Sequence, residues 1–155
     1  MGGEQTMLYT TKTKAAMRLA YQAHAGQTDR AGLPYIFHPY HLAEQMHTED
    51  EVCVALLHDV LEDTDKSEAD LRAAGMSEEV LAALRLLTHD PSVPYRDYVA
   101  RLADNPLAHV VKIADLRHNS DLSRLDKVSD KDRARVRKYA QALAFLGTQA
   151  QTGSR

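Results

Sequence analysis

The stretch Leu56-Leu57-His58-Asp59-Val60-Leu61-Glu62-Asp63-Thr64 places four ionisable side chains inside an apolar run. Burying a charge is unfavourable unless the charge is paired or bound to a metal ion. The helical periodicity around the stretch predicts one helix from about residue 49 to residue 63. On such a helix the pair Glu62-Asp63 lies one turn after the pair His58-Asp59. We therefore expect a metal ion with carboxylates beside it, completed by ligands from elsewhere in the chain.

The same periodicity covers most of the chain, and alternating strand patterns are scarce. Ser77 and Ser129 stand where helix N-caps are expected, whereas Gly75 and Gly147 follow expected helix ends. Pro39 suits the first turn of a helix. The chain is predicted to be a single all-α domain, a helical bundle spanning residues 1–155 with its core at about 11–147. The remaining predicted helices cover about 11–25, 67–74, 77–89, 95–103, 106–125 and 129–147.

Composition excludes several classes of protein. A net charge of −3 over 155 residues gives no basic surface for nucleic acid. No apolar run reaches the ~20 residues that span a bilayer, and residues 1–4 lack the pattern of a signal peptide. Cys53 is the single cysteine, so an internal disulfide is impossible, and the cytoplasm is the expected compartment. Oligomeric state stays open.

Two further residues stand in settings that suit metal ligands. His38 lies where a loop meets an expected helix start, and Asp115 lies on the polar face of an otherwise apolar helix. With His58 and Asp59 they would form a mixed nitrogen and oxygen set. The absence of a thiolate argues against a structural zinc site, and the set suits Mn²⁺, Fe²⁺ or a catalytic Zn²⁺. Such an ion activates water near neutral pH and polarises a phosphoryl oxygen.

A second His-Asp pair, His89-Asp90, shows how little the dipeptide means alone. It precedes Pro91 at an expected helix end and has no carboxylates one turn later. We interpret it as a helix terminus, where a histidine is favoured by the carbonyl end of the helix.

Several segments together resemble the HD-domain hydrolases of the RelA/SpoT-homologue group, which hydrolyse guanosine 3′,5′-bis(diphosphate), ppGpp. They occur in the family's order between about residues 15 and 125, and the chain is similar to small stand-alone members without a synthetase domain. The matching segments are Ala23-His24-Ala25-Gly26-Gln27, Gly32-Leu33-Pro34-Tyr35-Ile36-Phe37-His38-Pro39, residues 55–64 and Lys112-Ile113-Ala114-Asp115-Leu116-Arg117-His118-Asn119.

The resemblance implies an all-α HD fold and release of pyrophosphate from the 3′ position of ppGpp, leaving GDP. It implies that Glu62 and Asp63 position or activate the attacking water. Lys112 and Asn119 are implied to bind substrate or orient the site, and Arg30 could join Lys112 in neutralising phosphate charge. The implied Mn²⁺ ligands are His38, His58, Asp59 and Asp115.

Two departures from the family's pattern concern the substrate rather than the metal. Thr28-Asp29-Arg30-Ala31 stands where similar enzymes carry a basic cluster, and the order Leu116-Arg117 is reversed. The reversal moves the guanidinium by about 100° around a helix. An HD phosphohydrolase of another nucleotide (NADPH, a deoxynucleotide or a nucleoside monophosphate) and a non-catalytic alarmone-binding module are therefore the alternatives.

Overall fold

The computed structural model describes the backbone of residues 6–153 and the side chains of residues 6–147. Residues 1–4, predicted not to form a signal peptide, lie outside this range. The described part is helical, with an isolated β-bridge between Thr28 and Pro34 and no longer strand pairing. The helices are α1 (Thr11–Ala23), α2 (Phe37–Glu44), α3 (Glu49–Leu57), α4 (Val60–Asp63), α5 (Glu68–Ala73), α6 (Glu78–Leu87), α7 (Tyr95–Leu102), α8 (Pro106–Asn119) and α9 (Asp130–Gly153), with a 3₁₀ turn at Leu122–Arg124.

Helix α3 is the centre of the bundle. Its six residues from Val52 to Leu57 are all buried, so the helix is apolar on every face after its acidic first turn. It contacts α1, α2, α6 and α8, and α9 packs against α7 and α8. A helix that is apolar all round is stable only when other elements enclose it. This arrangement confirms the predicted all-α bundle and brings the residues that follow α3 into the interior.

Local capping signals predict several helix ends correctly. The Ser77 hydroxyl accepts from the backbone N–H of Val80, and Ser129 shares reciprocal hydrogen bonds with Asp132 at the start of α9. Gly75 follows α5 with a φ of +94°, a conformation that side-chain-bearing residues rarely adopt. These contacts involve only neighbouring residues, which is why they can be predicted from the sequence.

The prediction of one helix through residues 49–63 is wrong. The helix ends at Leu57, and Asp59 has φ −105° and ψ 0° before α4 begins. The His58 ring explains part of this break, because its Nδ1 lies 2.7 Å from the carbonyl oxygen of Ala55. In a continuing helix that carbonyl would accept the N–H of Asp59. The side chain therefore competes with the backbone for an acceptor.

Three other predicted ends are also wrong. Helix α2 begins at Phe37 rather than at Pro39, since any of the first positions of a helix tolerates the missing N–H of proline. Helix α8 ends before the predicted Leu125, and Asp121 accepts from the N–H of Ser123 to form a separate turn. Gly147 does not end α9, because its φ is not positive and the helix continues to Gly153. None of the helices in the described range is long and apolar enough to cross a membrane.

Candidate metal centre

Three buried side chains converge inside the bundle, each from a different element. His38 comes from the first turn of α2, His58 follows the last residue of α3, and Asp115 lies in α8. One nitrogen or oxygen atom of each lies within 4.8 Å of the corresponding atom of the other two. We call these three side chains the cradle. None is more than 6% exposed, so water does not screen them.

Hydrogen bonds on the far side of each imidazole orient the two histidines. His58 Nδ1 contacts the carbonyl oxygen of Ala55 at 2.7 Å, and His38 Nδ1 lies 2.7 Å from Nδ1 of His118. Both Nε2 atoms then face Asp115 Oδ1, at 3.5 Å from His58 and 2.9 Å from His38. Metal-binding histidines are commonly oriented by such a second hydrogen bond.

His58 Nε2 supplies a direct test of whether the cradle fits a metal ion. The atom is buried and lies 3.0 Å from Asp59 Oδ2 and 3.5 Å from Asp115 Oδ1, yet neither contact has acceptable hydrogen-bond geometry. Buried polar atoms are nearly always satisfied, and an exception needs an explanation. Burial alone would lower the pKa of His58, but the carboxylates of Asp59 and Asp115 outweigh it and raise that pKa well above its ordinary value. Because Nδ1 faces a carbonyl and keeps its proton, a bound divalent ion would displace the proton of Nε2 and use the lone pair of that atom. A lone pair beside a carboxylate is the donor set that divalent ions bind.

Asp115 is tied to its own helix as well as to the histidines. Lys112 Nζ lies 3.1 Å from Oδ2, and Asn119 Nδ2 donates to Oδ1 at 2.9 Å. Burial alone would raise the pKa of Asp115, but Lys112 and the two histidines outweigh it and hold that pKa well below its usual range. In return, the carboxylate of Asp115 raises the pKa of the buried Lys112 above its ordinary value. Both Lys112 and Asn119, predicted to bind substrate, thus contact a cradle residue.

Asp59, the fourth predicted ligand, lies beside the cradle. Its Oδ2 is 3.0 Å from His58 Nε2 and also accepts a hydrogen bond from the hydroxyl of Tyr35. Burial and the charge of Asp59 raise the pKa of Tyr35 far above its ordinary value, so the phenol stays protonated and remains a donor. The sequence places Tyr35 in one of the matching segments but indicates no role for it, because its contact with Asp59 exists only in the folded chain.

The two predicted catalytic acids lie on the short helix α4 and are exposed. Although the helix breaks after α3, the N–H of Asp63 still donates to the carbonyl oxygen of Asp59 at 2.9 Å. Asp63 therefore stays one helical turn after Asp59. Partial burial, with repulsion from Asp59 and Glu62, raises the pKa of Asp63 to about 6. A carboxylate with such a pKa can exchange protons near neutral pH.

His89, interpreted as a helix terminus, has a contact that the sequence did not indicate. It lies beyond the end of α6, and its backbone N–H donates to Glu62 Oε1 at 2.7 Å. Its ring stacks on Tyr98 with 4.5 Å between centroids. His89 and Glu62 are 27 residues apart in the sequence, so no local pattern could have predicted their hydrogen bond.

A cavity of about 540 Å³ opens beside the cradle, and we call it the pocket. Arg30, Glu62, Asp63 and Asn119 line it, which brings together four of the predicted catalytic and substrate-binding residues. Other lining residues had no predicted role, and those with polar side chains suited to a nucleotide include Tyr35, Arg124, Arg135 and Tyr139.

The reversed pair Leu116-Arg117 has a clear structural result. Leu116 is 1% exposed and lines a smaller cavity of about 170 Å³ next to Lys112 and Glu62. Arg117 is exposed, about 100° further around α8. The reversal thus gives the wall of the site an apolar side chain and leaves the guanidinium in solvent.

The sequence of the chain is similar to those of several curated proteins. The guanosine-3′,5′-bis(diphosphate) 3′-pyrophosphohydrolase of Haemophilus influenzae is 34% identical over 115 residues, which are 65% of this chain and 17% of that protein. The bifunctional (p)ppGpp synthase/hydrolase SpoT of Escherichia coli is 30% identical over 122 residues, 70% of this chain and 17% of that protein. The chain carries an HD domain of the RelA/SpoT-homologue group.

The fold of this RelA/SpoT-homologue domain is shared with a solved structure described as a metazoan orthologue of SpoT that hydrolyses ppGpp. The TM-score is 0.73 at 22% identity, over 91% of this chain and 88% of the other. No protein-family model matches the chain. The chain spans less than a fifth of the length of the two curated relatives, each of which it covers to 17%.

Proposed function

We propose that this RelA/SpoT-homologue domain is a metal-dependent phosphohydrolase that removes the 3′-pyrophosphate of ppGpp. Water attacks the phosphorus attached to the 3′ oxygen, the bond between them breaks, and the products are GDP and pyrophosphate. The observation that carries the proposal is the buried cradle, in which His58 Nε2 lies between the carboxylates of Asp59 and Asp115 without a well-formed hydrogen bond. The cradle adjoins the pocket that Glu62 and Asp63 line. The names of the relatives support the same reaction.

The proposed metal is Mn²⁺, with Fe²⁺ and Zn²⁺ as alternatives, held by His38, His58, Asp59 and Asp115. Imidazole nitrogen combined with carboxylate oxygen suits these ions. A bound divalent ion would supply a water of lowered pKa and polarise a phosphoryl oxygen. Tyr35, at Asp59, and Lys112, at Asp115, would hold the two carboxylates in place.

Glu62 and Asp63 would divide the work on the attacking water. The backbone N–H of His89 fixes Glu62 Oε1, so this carboxylate is placed to orient the water. Asp63 has a pKa raised to about 6, so near pH 7 it is ionised yet basic enough to take the proton from water. Asn119 Nδ2 and the exposed Arg30 would contact the nucleotide.

The proposed setting is the cytoplasm, with a small nucleotide as the binding partner. Cys53 is buried and free, which is typical of proteins from a reducing compartment. Burial raises the pKa of its thiol to about 12, so the thiol is unreactive near neutral pH.

A substrate panel tests the reaction. Protein loaded with Mn²⁺ is incubated separately with ppGpp, NADPH, a deoxynucleoside triphosphate and a nucleoside monophosphate, and released pyrophosphate and phosphate are measured. We expect pyrophosphate from ppGpp with wild type, none with Asp59→Ala, and wild-type rates with Asp90→Asn, a control that does not line the pocket. Hydrolysis of another nucleotide with ppGpp untouched would assign a different substrate, and no hydrolysis in any reaction would favour a binding module.

A further inference from the structure

An ion pair joins the two walls of the pocket. Arg124 Nη1, from the 3₁₀ turn, lies 3.4 Å from Oδ2 of Asp29, 95 residues earlier in the chain. Both side chains line the pocket, and they are 23% and 11% exposed. Asp29 belongs to the segment that stands where similar enzymes carry a basic cluster. The structure adds that its charge is already directed at one particular arginine.

Asp29 cannot easily leave this position. Its other carboxylate oxygen, Oδ1, accepts the backbone N–H groups of Ala31 and Leu33 at 2.9 and 3.0 Å. The carboxylate thus organises the loop with one oxygen and faces Arg124 with the other. A phosphate approaching Arg124 therefore meets a guanidinium whose charge is largely offset by a carboxylate that stays in place.

A second arginine of the pocket is also paired with a carboxylate. Arg135 is held by Asp132, whose second oxygen accepts from the backbone N–H of Ser129 at 2.8 Å. Among the described residues, Arg30 takes part in none of the ion pairs, so it is the guanidinium left free for a ligand. The acidic side chains and the arginines lining the pocket are the carboxylates of Asp29, Glu62, Asp63, Asp121 and Asp132 and the guanidiniums of Arg30, Arg124 and Arg135.

We propose that Asp29 is a specificity-determining residue. By offsetting the charge of Arg124, it makes the pocket favour the less anionic nucleotides among those that share the same scissile diphosphate. This inference rests on the proposed function, because the pocket is where the rest of such a nucleotide would lie. A bound nucleotide with a longer phosphate chain brings more negative charge towards Asp29. Each added charge then interacts with a fixed carboxylate at short range, where electrostatic energies are large.

The test uses three guanosine nucleotides with the same 3′-diphosphate and one, two or three 5′-phosphates. We measure kcat/KM with Mn²⁺ for wild type, Asp29→Asn, Arg124→Gln and Asp90→Asn. Asparagine can keep the loop hydrogen bonds of Asp29 because its Oδ1 still accepts. Asp90 is the matched control, since its Oδ1 likewise accepts a backbone N–H, that of Ser92 at 2.9 Å, outside the pocket.

Wild type is expected to favour the 5′-monophosphate over the 5′-triphosphate by about tenfold, and Asp29→Asn to remove or reverse that preference. Arg124→Gln should strengthen the preference, while Asp90→Asn should match wild type. The inference is overturned if Asp29→Asn has the same ratio as wild type, since the aspartate would then serve the loop alone.

Failure of the proposed function has a different signature, which is that wild type hydrolyses none of the three nucleotides. Equilibrium binding of the same series to metal-free protein still decides the role of Asp29 in that case. Tighter binding of the 5′-triphosphate to Asp29→Asn than to wild type supports the inference, and equal binding by both proteins overturns it.

Discussion

The cradle and the pocket lie side by side, yet they hold their charged residues in opposite ways. In the cradle, His38, His58 and Asp115 are buried, and each has a second contact that fixes its orientation. In the pocket, Glu62 and Arg30 are exposed. A buried charged set tolerates few substitutions, whereas a surface charge is screened by solvent. From this difference we expect the cradle to fix the chemistry and the pocket to set the choice of substrate.

Asp115→Asn should break the cradle with the largest effect. It removes the carboxylate that faces both histidines and leaves the buried ammonium of Lys112 without its partner. We expect loss of ppGpp hydrolysis and a fall of about 3 kcal/mol in the free energy of unfolding of the metal-free protein. Urea denaturation measures the second effect. The double variant Asp115→Asn/Lys112→Met should regain most of the stability but no activity; if it stays as unstable as the single variant, the unpaired ammonium is not the cause.

Glu62→Gln should separate the pocket from the cradle. The variant keeps the shape of the side chain and removes the charge proposed to orient water. Hydrolysis of ppGpp should fall by about 10²- to 10⁴-fold while Mn²⁺ affinity stays near that of wild type. Steady-state kinetics and metal titration on the same preparation check both. A parallel loss of metal affinity would mean that Glu62 belongs to the cradle.

Tyr35→Phe should weaken the support of the cradle without removing a predicted ligand. The hydroxyl that donates to Asp59 is lost, and the ring that packs near His24 and His38 remains. Metal affinity should fall by about tenfold, at the lower end of what the loss of such a supporting contact costs. Tyr40→Phe is the matched control, because that hydroxyl contacts Tyr9 at the surface. Equal Mn²⁺ affinity of both variants would show that the hydroxyl of Tyr35 does not support the metal site.

The pH dependence of hydrolysis should report on the pocket. The pKa of Asp63 is raised to about 6, and a base must be ionised, so the rate should rise with pH through 6 and then level. Below pH 6 we expect a fall of about tenfold per pH unit. Asp63→Asn should lower the rate and abolish this acidic limb. A limb that persists unchanged in the variant would assign it to another group.

The sequence was most informative where neighbours alone decide the structure. The caps at Ser77 and Ser129 and the turn at Gly75 follow from contacts within a few residues, and all were predicted. The break after His58 was missed, because it depends on an imidazole that turns back to the carbonyl of Ala55. The periodicity of apolar residues contains no information on the competition between this side chain and the backbone for the carbonyl oxygen.

The site divides in the same way. His38, His58 and Asp115 were selected from the sequence, and the structure brings them together; their role as metal ligands stays a prediction. Contacts such as the N–H of His89 on Glu62, or Arg124 on Asp29, join residues 27 and 95 positions apart. They arise from packing of separate elements, so no spacing rule could indicate them.

The most direct test of the central claim is calorimetric titration of Mn²⁺ into metal-free wild type and His58→Gln. We expect one ion per chain for wild type and an affinity lowered at least about 100-fold in the variant, because the ion would lose the imidazole that faces the carboxylates of Asp59 and Asp115. Circular dichroism and thermal unfolding of both proteins establish that the variant is folded. Equal Mn²⁺ affinity in a folded His58→Gln variant would contradict the claim that the cradle is a metal centre.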